Sequence, residues 1–179
     1  MLQKSQDTGF VDMPISNSQL HLSNLIKNLP WQQSSFGRRK VCQIGCDYTY
    51  SNIVVKGVPF EVYKPLKGLL DRVNSELGTS FNSILVNWYP AGSSVGIGVH
   101  KDDEKELVHG SKVCSISLGA TMPFILQDRY SNPSESIRVD LKDGDVFLMG
   151  TNCQKHYFHS IPKMVLSSDR VSLTFREFV

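Results

Sequence analysis

From Phe81 onward the chain is a series of short runs in which apolar and polar residues alternate: FNSILVNWY, KVCSISLG, MPFILQD, SIRVDLKDGDVFLMG and DRVSLTFREF. A period of two sends successive side chains to opposite faces, which suits half-buried strands and not amphipathic helices. Glycine, proline, aspartate and asparagine separate the runs, so the strands are short and close into a barrel or sandwich. Residues 142–145, KDGD, read as a turn between two of these strands, and DRYSNPSES, 128–136, as an exposed loop.

Upstream the pattern is helical. In SNSQLHLSNLIKNLP, Leu22, Leu25, Ile26 and Leu29 recur at helical spacing before Pro30. In KPLKGLLDRVNSELG, Leu66, Leu69, Leu70, Val73 and Leu77 make one apolar stripe, with Pro65 suited to the first turn and Gly78 to the end. The expected fold class is therefore mainly β with N-terminal helices (α+β), helices first and the β core after them. At 179 residues, with no internal repeat or linker, one domain spanning 1–179 is expected.

Composition excludes several classes. Cys42, Cys46, Cys114 and Cys153 lack CxxC spacing, which argues against a zinc ribbon or a dense disulfide framework and suits a reduced, intracellular compartment. No apolar run is long enough to span a membrane, and the opening residues lack the apolar core of a signal peptide, so a soluble, non-secreted chain is expected. The formal charge of +2 allows a nucleic-acid partner without requiring one. The acidic run KDDEKE lacks the spacing of a calcium loop.

The run RVSLTFR, 170–176, carries the first chemical signal. Alternation puts Arg170, Ser172, Thr174 and Arg176 on one face and Val171, Leu173 and Phe175 on the other. As an edge strand this face would hold its arginines in water. Turned into a barrel, the two cations need an anion, and a small dicarboxylate would satisfy them. In LVNWY, Asn87 and Tyr89 share a side and offer an amide and a phenol to the same ligand. His100 and Asp102, in GVHKDDEKE, combine with His156 and His159 of CQKHYFHSIPK into a two-histidine, one-carboxylate set of the kind that leaves open positions on iron(II). The His-x-Asp step would set two ligands on one face of one strand, and a third from a distant strand would pin the metal across the barrel mouth.

In that order NWY, HKDDE, HYFHSIP and RVSLTFR resemble the motifs of the AlkB family of iron(II)- and 2-oxoglutarate-dependent nucleic-acid demethylases, over about Arg38 to Phe178. The resemblance implies a double-stranded β-helix (jelly-roll) core at 61–179, following a helix, and an N-terminal extension with a nucleotide-recognition lid at 1–60. It makes His100, Asp102 and His159 the metal ligands, His159 standing just before the S-hydrophobic-P step, and leaves His156 unligated. Arg170 would hold the distal carboxylate of 2-oxoglutarate with Tyr89 and Thr174, while Asn87 and Arg176 would support the chelating end. Ser172 departs from the family, where many members have asparagine. The implied cofactors are Fe(II), 2-oxoglutarate and O2. The implied reaction hydroxylates an N-methyl carbon on a base such as N1-methyladenine or N3-methylcytosine and releases formaldehyde.

The lid expectation rests on GRRKVCQIGCDYTYS, which joins the basic cluster Arg38, Arg39 and Lys40 to Tyr48 and Tyr50. Cations suit phosphates and aromatic faces suit stacking on an unpaired base, although an exposed ribbon with a solvated charge run has the same composition. By resemblance Arg39, Tyr48 and Tyr50 meet the substrate, and Asp103 accepts from an exocyclic amine. The chain resembles free-standing repair enzymes and also AlkB-like domains in replicase polyproteins of plant RNA viruses. The latter likeness favours alkylated RNA over DNA and, for a viral chain, the host cytoplasm; a monomer is expected. Two other functions fit parts of the pattern: a 2-oxoglutarate oxygenase acting on a protein or small molecule, and a non-catalytic methylated-RNA binding module.

Overall fold

The computed structural model describes residues 6–15, 20–34, 37–50, 53–130 and 136–179. Most of the 128–136 loop expectation and the start of the first helical stretch lie outside these residues. The elements run β1 (Gly9–Val11), α1 (Leu22–Asn28), β2 (Gln32–Gln33), β3 (Lys40–Ile44), β4 (Tyr48–Tyr50) and β5 (Ile53–Val55). A 3-10 turn over Phe60–Tyr63 leads into α2 (Pro65–Leu77). Then come β6 (Ser83–Tyr89), β7 (Ser94–His100), β8 (Val113–Gly119), β9 (Met122–Asp128), β10 (Ile137–Leu141) and β11 (Val146–Met149). The chain closes with α3 (Cys153–His156), β12 (Tyr157–Val165) and β13 (Arg170–Arg176).

A seven-stranded sheet has the order β1-β11-β8-β13-β6-β3-β2, and a four-stranded sheet the order β10-β9-β12-β7. Both are antiparallel and together form the expected jelly-roll, with β4 and β5 as a separate hairpin. The strand RVSLTFR lies at the centre of the large sheet, between β6 and β8, and is no edge. Its two faces are buried for different reasons. Val171, Leu173 and Phe175, with Val86 of β6, pack against the Leu66, Leu69, Leu70 and Val73 stripe of α2. That stripe is held in register by Pro65 in the first turn and by Gly78, whose left-handed φ of 59° ends the helix without a Cβ clash. With the oily face under helices, the arginine face turns inward to the small sheet, where Tyr89, Val95, Met122, Phe124, Leu126 and Ile161 build a second apolar cluster.

Three parts of the architecture depart from the sequence reading. Strands β1 and β3 join the large sheet, β1 beside β11 and β3 beside β6, so these two strands of the N-terminal extension are part of the core. Burial of Cys42 and Ile44 ties β3 in place of the exposed ribbon that its basic neighbours suggest. Strand β7 lies outside the five alternating runs and carries Gly96 and Gly98. At Gly96 a Cβ would lie 2.8 Å from the Ile161 carbonyl oxygen, so the missing side chain is what lets β7 close on β12.

Candidate active site

The jelly-roll brings the chemical motifs into one pocket. His100 ends β7, and His159 sits directly opposite it on β12, the two being register partners in the small sheet. The strand carrying the third ligand is thus distant in sequence but adjacent in space, and the ligands meet beside one another and not across a barrel mouth. Their rings are 4.2 Å apart. Asp102 follows two residues after His100, and its Oδ1 lies 3.9 Å from Nε2 of both histidines. All three ligand atoms fall within 4.8 Å of one another, and among the described residues no other metal-holding group of this kind occurs. His156 ends α3 and is outside the group.

Local bonding prepares these donors. Nδ1 of His100 donates to the Gly98 carbonyl at 2.8 Å, which leaves Nε2 as the lone-pair nitrogen facing Asp102. Burial drops the His159 pKa to about 4 in spite of Asp102, so its imidazole is neutral and able to ligate. Burial by itself would raise the Asp102 pKa, but the Arg176 guanidinium outweighs it and keeps the carboxylate ionised. Arg176 Nη2 donates to Asp102 Oδ1 at 2.8 Å. Although burial favours the neutral guanidine, Asp102 and Glu104 push the Arg176 pKa upward.

The residues expected to hold the co-substrate line the same pocket: Asn87, Tyr89, Arg170, Ser172, Thr174 and Arg176. Arg170 is 0% exposed. Its Nη2 donates to Ser117 Oγ at 2.8 Å and its guanidinium lies 5.0 Å from the Tyr89 ring centroid. Nε and Nη1 meet no acceptor, and among the described residues Arg170 has no carboxylate counter-ion. A buried cation with orphaned donors calls for an anion, and a ligand bearing a second carboxylate near the His–Asp–His set meets the requirement. The donor set of two imidazoles and a carboxylate fits iron(II) on the chemistry of its ligand atoms. Ser117 is absent from the sequence reading, although the alternation of VCSISLG puts it on the inner face with Ser115.

The lid residues behave less uniformly. Tyr48 is buried, lines the pocket and lies parallel to Phe178 at 5.5 Å, so Phe178 covers one face of its ring. Burial raises its pKa to about 12, and the phenol stays protonated. Tyr50 continues the backbone of β4, while its side chain lies outside the described set. Arg39 reaches the pocket and its Nε donates to Asn87 Oδ1 at 3.1 Å, which joins the lid to the co-substrate residues. Asp103 is not among the residues that line the pocket: its side chain is 63% exposed and pairs with Lys101 at 3.1 Å. Past the end of β7 the chain leaves the ladder, and Glu104, two residues beyond Asp102, is the carboxylate that turns inward. Burial raises the Glu104 pKa against the pull of Arg176.

This arrangement has counterparts among known proteins. Residues 12–176 match the 2OG-Fe(II) oxygenase superfamily. The DNA oxidative demethylase ALKBH2 of Bos taurus is 34% identical over 160 residues, covering 85% of this chain and 54% of its own length. The chain thus spans about half of that relative. The RNA replication protein of Grapevine virus A is 31% identical over 109 residues, 60% of this chain and 6% of the viral protein. Among solved structures, that of OsALKBH1 shares the fold with a TM-score of 0.58 at 22% identity, covering 82% of this chain and 83% of its own. Since the matched span contains every pocket residue named above, the chain belongs to the 2OG-Fe(II) oxygenase superfamily, among the AlkB homologues.

Proposed function

We propose that the chain removes N-methyl groups oxidatively from bases of nucleic acid, with N1-methyladenine and N3-methylcytosine as substrates. The observation that carries this reading is the pocket in which the His100–Asp102–His159 set, Arg170 without a carboxylate partner among the described residues and, on the lid side, Tyr48 and Glu104 converge. When bound, iron(II) supplies oxidation of a C–H bond by O2, coupled to conversion of 2-oxoglutarate to succinate and CO2. One oxygen atom goes to succinate and the other to the methyl carbon; the resulting N-hydroxymethyl group leaves as formaldehyde, its hydroxyl proton passing to solvent, and the C–N electron pair returns to the base nitrogen as its lone pair.

The chain's own residues do the positioning. Arg170, with Tyr89 and Thr174, binds the distal carboxylate; Arg176 and Asn87 flank the other end. Tyr48 holds the base plane, and Glu104, in place of Asp103, accepts from an exocyclic amine. Beside Glu104 a cleft lined by Lys101, Lys105, Arg129 and Lys155 suits the phosphates of a strand whose base enters the pocket. The preference for RNA over DNA draws on the viral replication relative, while the relatives named as DNA demethylases support the deoxy strand. With its four cysteines free, a reducing cytoplasm suits the chain, and we assign it a monomeric state.

The test is anaerobic loading with iron(II) and 2-oxoglutarate, then oxygen with methylated RNA or DNA oligonucleotides, followed by mass spectrometry. Methyl loss matched by succinate is the expected result, and the two strands are ranked in one assay. Succinate without methyl loss would move the substrate to a protein or small molecule; neither product would leave a binding module.

A further inference from the structure

His100 and His159 are fixed by the ladder between β7 and β12, but Asp102 lies beyond the end of β7, where no strand pairing holds it. Its backbone N–H donates instead to Gln154 Oε1 at 3.0 Å. The other end of the same amide, Nε2, donates to Asp102 Oδ2 at 3.4 Å. One side chain therefore grips both the main chain and the carboxylate of Asp102, which glutamine can do because it carries a donor and an acceptor together. With Oδ2 occupied by Gln154 and Oδ1 by Arg176, the carboxylate plane cannot rotate freely, and Oδ1 is the oxygen turned to both histidines.

Gln154 sits on α3, the turn that feeds directly into β12 and His159. Its amide thus ties the segment bearing Asp102 to the segment bearing His159 across 52 residues of sequence. A neutral amide orients the carboxylate without neutralising it, so the negative charge stays available to a cation. We infer that Gln154 is a positioning residue that presets Asp102 Oδ1 for metal. The inference rests on the reading of His100, Asp102 and His159 as the metal site, and it holds whatever the substrate proves to be.

The test is cobalt(II) titration of the metal-free full chain, read by d–d absorption, for wild type, Gln154→Met and Gln154→Ala. The expected result is about 10- to 100-fold weaker cobalt binding in both variants, the usual cost of losing an outer-shell hydrogen bond to a metal ligand. The 2-oxoglutarate affinity of the cobalt-saturated proteins should be unchanged, since Gln154 is not among the residues lining the pocket with Arg170 and Arg176. Wild-type cobalt affinity in either variant would overturn the inference. So would loss of cooperative unfolding in both metal-free variants, which would make Gln154 a structural residue only. A wild-type chain that binds no cobalt would instead reject the metal site itself.

Discussion

Replacing Arg170 with methionine separates the stability of the empty pocket from its affinity for co-substrate. In the ligand-free chain Arg170 is fully buried, with one bond to Ser117 and two donor nitrogens unsatisfied. An apolar side chain of similar length removes an uncompensated charge, and well-packed apolar replacements of buried ionic groups gain up to about 1–4 kcal/mol. Losing the Ser117 bond costs about 1 kcal/mol of that. The net gain of roughly 0–3 kcal/mol raises Tm by up to about 10 °C, at about 2–4 °C per kcal/mol for a chain this size. The effect on binding has the opposite sign. Truncating one partner of a buried, hydrogen-bonded charge pair costs about 2–5 kcal/mol, or about 30- to 4,000-fold in Kd for 2-oxoglutarate. Thermal unfolding with manganese(II), without and with 2-oxoglutarate, reads both. Wild type at 100 times its Kd should gain about 2.7 kcal/mol from the ligand, and Arg170→Met at the same concentration no more than about 0.9 kcal/mol. Undiminished ligand stabilisation in the variant would refute the assignment of Arg170 to the dicarboxylate. A metal-free Arg170→Met protein much less stable than wild type would refute the claim that its charge is uncompensated.

Asp102→Ala should abolish metal-dependent turnover and also destabilise the metal-free chain by about 3–5 kcal/mol, because Arg176 is left buried without its carboxylate; denaturant unfolding checks the second effect. Glu104→Gln should lower kcat/KM on a methylated oligonucleotide by about 10- to 100-fold, the value of a charged hydrogen bond, while Asp103→Asn leaves it unchanged; equal effects would sink the exchange of roles. Lys105→Ala and Lys155→Ala should each weaken oligonucleotide binding at all sequences and reduce the salt slope by about 0.7 for a single strand, as measured by anisotropy from low to high salt. Native-state alkylation should reach Cys46 first, since Cys42, Cys114 and Cys153 are buried and burial pushes the latter two thiols up to about 12; peptide mapping reads the order.

What the sequence disclosed and what it hid follow from the range of each interaction. Alternation is local, so the inward face of RVSLTFR, with Arg170 and Arg176, could be read from seven residues, and the stripe of α2 from thirteen. The same rule applied to VCSISLG would have found Ser117. Beyond strand ends the rule lapses: parity cannot tell whether Asp103 or Glu104 turns inward once the chain leaves β7, and the choice is made by Lys101, which draws Asp103 to the surface, and by Arg176, which faces Glu104 inside. Gln154 was out of reach for another reason. Nothing in TNCQKH marks a ligand-positioning amide, because its two partners lie 52 residues upstream and become neighbours only when Gly96 lets β7 close on β12. Motifs announce the groups we assign to metal and co-substrate; the groups that hold those motifs in place are set by tertiary contact, and there the sequence pattern carries no period to follow.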